Sequence, residues 1–487
     1  MFPAQAALAL ALLQAASPAH GNSSTIRQNV EQDIQAGHYE DARKELQQAI
    51  KRAPQDASLW SLLGEVNARL QDTDAAIAAL QKANSLAPKN PDVYFDLGLL
   101  FMQKGATGEA LKVYHRGLAL DPQNEPANQN YALLLMQQGK PCEAVGPLQR
   151  LKGTKSGNLA VRTSLIESLW KCGNNTAGKK ELAEFLQMPS ATTEDRMRLA
   201  KILGRSHLLD PAEETLENVT ETEPGFAEAH ADLGLLLVQK NQFQDAARQV
   251  GRAVQLEPSS PRYAMDLAQV LLKARQYPTA LEFLKGAEDR FGTLPEYQYK
   301  LAWANYGLGN VAAAEAELKA LAQEHPELDR VHYSLGNCYV ALGRLSDAEA
   351  SYREAVALNS KNASYHAALG QVLRKKGKKG LGEAVTELET ALRLDPSDPD
   401  TRVELAICYE QQASLSKAER LLETAVREQP DLADAHRVLA RVYYREGRKE
   451  QGNRESAIVS RLDARRDARG HPANEKPSVA ESFSPPN

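Results

Sequence analysis

The sequence predicts an all-α protein, a superhelical solenoid of tandem antiparallel helix pairs. Three observations carry that expectation: one 34-residue pattern recurs along the chain, its apolar residues fall at spacings of three and four, and most copies close on a proline. Residues 91–124 show the pattern best. Tyr94, Leu97, Gly98 and Phe101 mark a first helix, Gly105 a turn, and Ala110, Tyr114 and Gly117 a second helix, with Pro122 closing the unit. Gly98 and Ala110 are small where two helices must cross closely, and the three aromatics fill the wedge. Pro122 cannot continue the helix before it. Such a unit cannot bury its apolar faces alone and requires copies on both sides.

The copies are present from residue 23 onward. Residues 23–56 have a polar first helix, as a terminal cap requires, followed by Gly37, Tyr39, Ala42, Leu46, Ala49 and Pro54. Residues 57–90 carry Trp60, Leu63, Gly64, Ala76, Leu80 and Pro88; residues 125–158 carry Tyr131, Gly139, Ala144 and Leu148. The units from 159 and 193 are less regular, and the loops at 152–158 and 188–193 are read as a bend that divides the array into 23–190 and 191–462. Register returns at Ala227 and continues through units beginning at Pro261, Pro295, Asp329, Ala363, Pro399 and Ala433. The unit from Ala363 is two residues long in its turn. The second helix of the last unit turns polar, again a cap, and residues 463–487, rich in proline and poor in apolar periodicity, are expected to be a disordered tail.

Residues 1–19 form the one apolar run, with Ala6 to Leu13 ahead of Ser17-Pro18-Ala19. The pattern is that of a signal peptide, although Met1 to Leu10 lacks Lys and Arg. Export to a periplasmic, envelope or secreted location is therefore expected, with a cytoplasmic location if the run is not a signal. No stretch is long enough for a transmembrane span. A net charge of −5 over 487 residues gives no electrostatic case for nucleic acid. Apolar residues make up 43% of the chain and aromatics 6%, so Ala and Leu must carry the packing.

At about thirteen copies the chain resembles the tetratricopeptide repeat family, whose unit runs Trp-x2-Leu-Gly-x2-Tyr, Ala-x3-Phe, Pro. The resemblance covers residues 23 to about 460. It implies first helices that line a concave groove, with positions two, five, six, nine, twelve and thirteen of each unit facing it. On that basis the groove residues are Phe95, Leu99, Met102, Leu133, Met136, Gln269, Leu272, Tyr299, Trp303, Tyr306, Tyr333 and Asn337. The rings of Trp303 and Tyr306 stand out as anchors for a partner peptide or helix, the alternative being that they pack between successive first helices. The Lys/Asn/Arg clamp of relatives that grip chaperone tails is missing at Ser61/Glu65, Phe95/Leu99 and Gln129/Leu133. The asparagine ladder of glycosyltransferase-linked arrays is missing too: the sixth position reads Asp96, Asn130, Ser164, Arg198, Asp232, Asp266, Lys300, Ser334.

No residues assemble into recognisable chemistry. His230, His332, His366 and His436 share the fourth position, where Trp60 and Tyr94 sit elsewhere, and are read as substitutes for a packed aromatic. A metal needs convergent ligands, which successive repeats do not bring together. Cys338 and Cys408, both at the tenth position, are read as buried thiols. Cys142 and Cys172 lie at the turn edge of adjacent repeats, where a disulfide is feasible in an oxidising compartment. The basic turn from Arg374 to Lys379 is read as solvated. No phosphate loop or nucleophile elbow occurs. The expected function is that of a non-enzymatic scaffold, without cofactor or metal, that binds another protein or peptide in an exported or envelope complex. The alternatives are a non-catalytic regulatory subunit of an enzyme complex, in envelope polysaccharide or secretion machinery, and a carbohydrate-binding aromatic groove.

Overall fold

A computed structural model describes residues 23–154 and 158–468. The segment read as a signal peptide and most of the proposed tail lie outside them. Among the described residues there is no strand, and helices follow one another in antiparallel pairs. First helices span Ala57–Arg69, Pro91–Gln103, Glu125–Gln137, Leu159–Lys171, Thr193–Arg205, Ala227–Gln239, Pro261–Lys273, Pro295–Gly307, Asp329–Ala341, Ala363–Lys375, Pro399–Gln411 and Ala433–Arg445. Each begins at the residue the repeat register predicts. The two surplus residues in the unit from Ala363 are taken up by a short 3-10 turn, Lys378–Gly380, so the helices beyond keep their phase. The last helix, Lys449–Ala468, continues six residues into the stretch assigned to the tail (residues 463–468).

The chain forms two compact units, Met1–Asn218 and Val219–Asn487. They part within the helix Leu209–Thr222, not at the loop 188–193 where the sequence reading divides the array. That loop is instead closed locally: Thr192 and Asp195 form a reciprocal capping box at the start of the next helix.

Local chemistry explains the helix ends. Asn90, Ser260 and Asp398 accept from backbone N–H groups of the first turn, each followed by Pro at the first helical position. Every turn within a pair contains one residue in the left-handed region. It is glycine at Gly105, Gly343 and several others, but Gln71, His207, Asn241, Arg275 and Ala413 occupy the same place. Inside each pair the crossing is tight. A Cβ added to Gly98 would lie 2.6 Å from the Tyr114 ring, and one added to Gly336 would lie 2.4 Å from Tyr352. The facing alanines Ala110 and Ala348 are fully buried. In the unit from Pro261 the second helix breaks after Gly286, and the short helix Glu288–Phe291 drops Phe291 into the core.

The fourth position has a common role that the sequence reading described only as packing. Trp60 Nε1 donates to the Pro54 carbonyl (2.9 Å), Tyr94 to Pro88 (3.1 Å) and Asn128 to Pro122 (2.9 Å). The histidines do the same through Nε2: His230 to Pro224, His332 to Pro326, His366 to Ser360 and His436 to Pro430. Residue types as different as Trp, Tyr, Asn and His are thus interchangeable, because each places an N–H or O–H donor on the carbonyl six residues back. That carbonyl ends the previous repeat, so the bond couples neighbours.

An L-residue in the left-handed region is strained by roughly 1–2 kcal/mol. Ala413 is exposed with φ 59°, so its methyl contributes no packing. Ala413→Gly should therefore raise unfolding stability by about 0.5–1 kcal/mol once glycine's greater unfolded-state entropy is subtracted. Urea unfolding followed by far-UV circular dichroism measures it, and a lower midpoint would contradict the strain argument.

Candidate functional site: the first-helix faces

In the unit Val219–Asn487, three consecutive first helices enclose a groove of about 590 Å3. Leu235 comes from Ala227–Gln239; Pro261, Arg262, Met265, Asp266 and Gln269 from Pro261–Lys273; Pro295, Glu296 and Lys300 from Pro295–Gly307; Leu294 caps the last of these. Leu235, Met265 and Leu294 give an apolar lining, and the charges around it are paired. Arg262 bonds Asp232 at 2.8 Å and lies 3.8 Å from Asp266. Lys300 lies 2.8 Å from Glu296, which also takes Arg330 at 2.5 Å. Burial raises the Glu296 carboxyl, but Lys300 and Arg330 outweigh it and leave the group below its ordinary range. Lys300 is 3% exposed, and burial lowers its ammonium despite Glu296. These pairs hold the groove's walls in fixed positions. Arg262 and Glu296 were not named from the sequence, yet both stand at the second position, which the repeat rule points inward.

The aromatic anchors are not on this surface. Tyr299, Trp303, Tyr306 and Tyr333 are buried, Trp303 to 1% exposure. They fill the seam between successive first helices. Tyr299 shares a 2.9 Å hydrogen bond with Ser334, one repeat on. Arg330 stacks over the Tyr299 ring at 4.8 Å, and the Tyr333 ring meets those of Tyr352 and Tyr365 at 5.7 and 5.0 Å. Asn337 is also buried, its carbonyl and side-chain oxygens accepting from Tyr306 and Tyr352. Leu272 belongs to the same core. Phe95 is buried for a different reason: its ring lies over Gly117 of its own repeat. The expectation that these seven side chains meet a partner is thereby corrected. Periodicity placed them on the inner face, but it does not tell how closely the next helix covers that face.

The remaining predicted residues are accessible. Gln269 lines the groove and accepts from Lys300 at 2.5 Å. In the unit Met1–Asn218, Leu99, Met102 and Met136 are partly exposed and Leu133 is 49% exposed. Leu99 and Leu133 both occupy the ninth position, Met102 and Met136 the twelfth. Asp96, at the sixth, lies among acids. Burial, then Glu65 and Asp92, push its carboxyl up to about 7.

Cys142 and Cys172 are joined by a disulfide, with Cα atoms 5.3 Å apart. It ties the first turn of Pro141–Lys152 to the end of Leu159–Lys171. Cys338 and Cys408 are free and fully buried, and burial pushes their thiols up to about 12 and about 11, which makes them inert. Two cations of the basic turn are committed to ion pairs, Arg374 with Glu404 (2.7 Å) and Lys376 with Glu349. Among the described residues no cluster of three or more His, Cys, Asp or Glu could hold a metal, and no helix is long and apolar enough to cross a membrane.

Because Trp303 lies in the core, Trp303→Ala should destabilise its unit by about 3–5 kcal/mol. An unchanged urea midpoint would return the ring to the surface.

Comparison with known proteins gives a family. Profiles described as tetratricopeptide repeat match residues 33–91, 197–255 and 231–295, then 305–372 and 381–442, and also 91–124. No curated protein sequence matches the chain. Solved structures that resemble it loosely include the following three. Naa15/Naa10 bound to HypK-THB is 15% identical with a TM-score of 0.46, covering 95% of this chain and 78% of that one. MamA is 18% identical with a TM-score of 0.32, covering 34% and 95%. Yeast Tom70 is 14% identical with a TM-score of 0.40, covering 88% and 99%. Similarity this loose carries no conclusion about what the chain binds. The repeat profiles span most of the chain and fall on its helix pairs: the chain belongs to the tetratricopeptide repeat family.

Proposed function

We propose that the chain is a protein-interaction scaffold that holds a segment of a partner protein against its first helices. The observation that carries this reading is the 590 Å3 groove of the second unit. It is concave, has an apolar lining at Leu235, Met265 and Leu294, and fixes polar groups around them by ion pairs. A partly apolar cleft with a few rigid polar groups suits recognition, since little side-chain order remains to be lost on binding. Family membership supports the same class of function, because tandem repeats of this kind serve as interaction scaffolds.

The test is site-specific photo-crosslinking in the native host. A crosslinker at Gln269 should capture a discrete partner, a crosslinker at the exposed Lys285 of a second helix should not, and Leu235→Asp should abolish the capture. The same bands from both positions, or capture that survives Leu235→Asp, would overturn the groove as the site.

We further propose export. The apolar run at residues 1–19 supports it, as does the use of Cys142 and Cys172 as a disulfide rather than as thiols. The intact mass of protein from its own host should lack those nineteen residues; a chain that retains them would refute export by a cleaved signal.

A further inference from the structure

We propose that the first-helix face of the unit Met1–Asn218 docks a cationic amphipathic segment of a partner protein, its apolar side chains on Leu99 and Leu133 and a Lys or Arg against Asp96 and Glu65. The proposal rests on the scaffold reading above and adds a second surface with its own chemistry.

Leu133 is the first observation. Among the described residues, the exposed leucines Leu120, Leu308, Leu342, Leu358 and Leu394 lie at helix ends, where a turn leaves them open. Leu133 lies in the middle of Glu125–Gln137 and is the most exposed of them. Its counterpart one repeat earlier is Leu99, and three residues beyond each stands a methionine, Met102 and Met136. Methionine adapts to varied apolar partners. An apolar strip thus runs across two neighbouring repeats, open at Leu99 and Leu133 and partly packed against the core at Met102 and Met136.

The charge beside the strip is the second observation, and it selects the occupant. In the second unit's groove each charge has an opposite neighbour. Here, among the described residues, Asp96 has no hydrogen bond or ion pair and Glu65 has a cation only in Arg69, at 3.7 Å. Glu31 and Asp92 add the same sign. The groups that face Asp96 are therefore Glu65 and Arg69 from Ala57–Arg69, Asp92 from its own helix, and the phenol of Tyr114 from Thr107–Leu120, with Glu31 beyond Glu65. Burial and these acids raise the Asp96 carboxyl, and an incoming ammonium or guanidinium would supply the missing counter-charge. A partner cation favours the carboxylate, so affinity should rise as pH rises through about 7 and the Asp96 proton is lost.

The experiment uses the full chain and three fluorescent peptides of equal length: an amphipathic Leu/Lys helix, its Leu/Glu counterpart, and a Lys/Gln helix without apolar side chains. Fluorescence anisotropy should rank Leu/Lys at least about tenfold above both others. Asp96→Asn and Leu133→Gln should each weaken Leu/Lys binding by about tenfold, and Asp96→Asn should flatten its rise between pH 6 and pH 8. Leu235→Gln should leave it unchanged. Both unit 1 variants alter accessible side chains, and circular dichroism confirms that they fold. Equal affinity for the three peptides overturns the proposal. So does binding that Leu235→Gln abolishes and the first-unit variants do not, a result that leaves the scaffold reading standing. Self-association of the chain that Leu133→Gln dissolves in sedimentation velocity would assign the strip to a second copy and also overturn it. Conversely, loss of the Gln269 crosslink with intact Leu/Lys binding would remove the groove and leave this surface.

Discussion

The close crossing within each helix pair is the constraint on which everything else depends. A glycine or alanine at the eighth position of nearly every unit and a small residue at the twentieth let two helices approach closely, until in the tightest pairs a single side chain fills the gap, Tyr114 over Gly98 or Tyr352 over Gly336. The pair then acts as a rigid wedge with one apolar face on each side. Stacking wedges buries those faces, and in most repeats a donor at the fourth position ties the wedge to a carbonyl near the end of the previous one. Stability is spread along the chain as a series of nearest-neighbour terms. The turns can therefore tolerate strained residues such as Ala413, and one turn can absorb a two-residue insertion, without loss of phase.

Packing also decides which side chains remain available to a partner. In the second unit the seam between first helices is sealed by Tyr299, Trp303, Tyr306 and Tyr333. The surface left above it combines the apolar side chains of Leu235, Met265 and Leu294 with charges that are each paired, Lys300 among them. In the first unit the corresponding face keeps Leu99, Leu133 and two methionines partly open beside an acid without a partner. One backbone pattern thus presents two chemically different faces. The difference lies in positions that the stacking of helix on helix does not constrain.

The architecture was legible to an unusual depth. Helix starts at Ala57, Pro91, Ala227 and Ala433 follow from register alone, because a repeat that fails at one position is corrected by a dozen others. The role of small residues at 98 and 110 was legible for the same reason. The site was less so. Leu133 and Gln269 stand where the repeat rule put them, but Trp303 and Tyr306 do not face solvent. Their periodicity is that of an inner face in either case, and exposure depends on the distance to the next helix. The common function of Trp60, Tyr94 and the four histidines was hidden by their unlike side chains; the shared feature is one donor atom, not shape or hydropathy.

By itself the sequence determined the fold class, the repeat boundaries and the small residues that permit crossing, since these depend on contacts within a unit and recur in every copy. Tertiary structure decided which inner-face aromatics are core, which acid lacks a partner and where a groove opens. Those properties arise between repeats, from how closely each helix covers its neighbour, and no single unit encodes them.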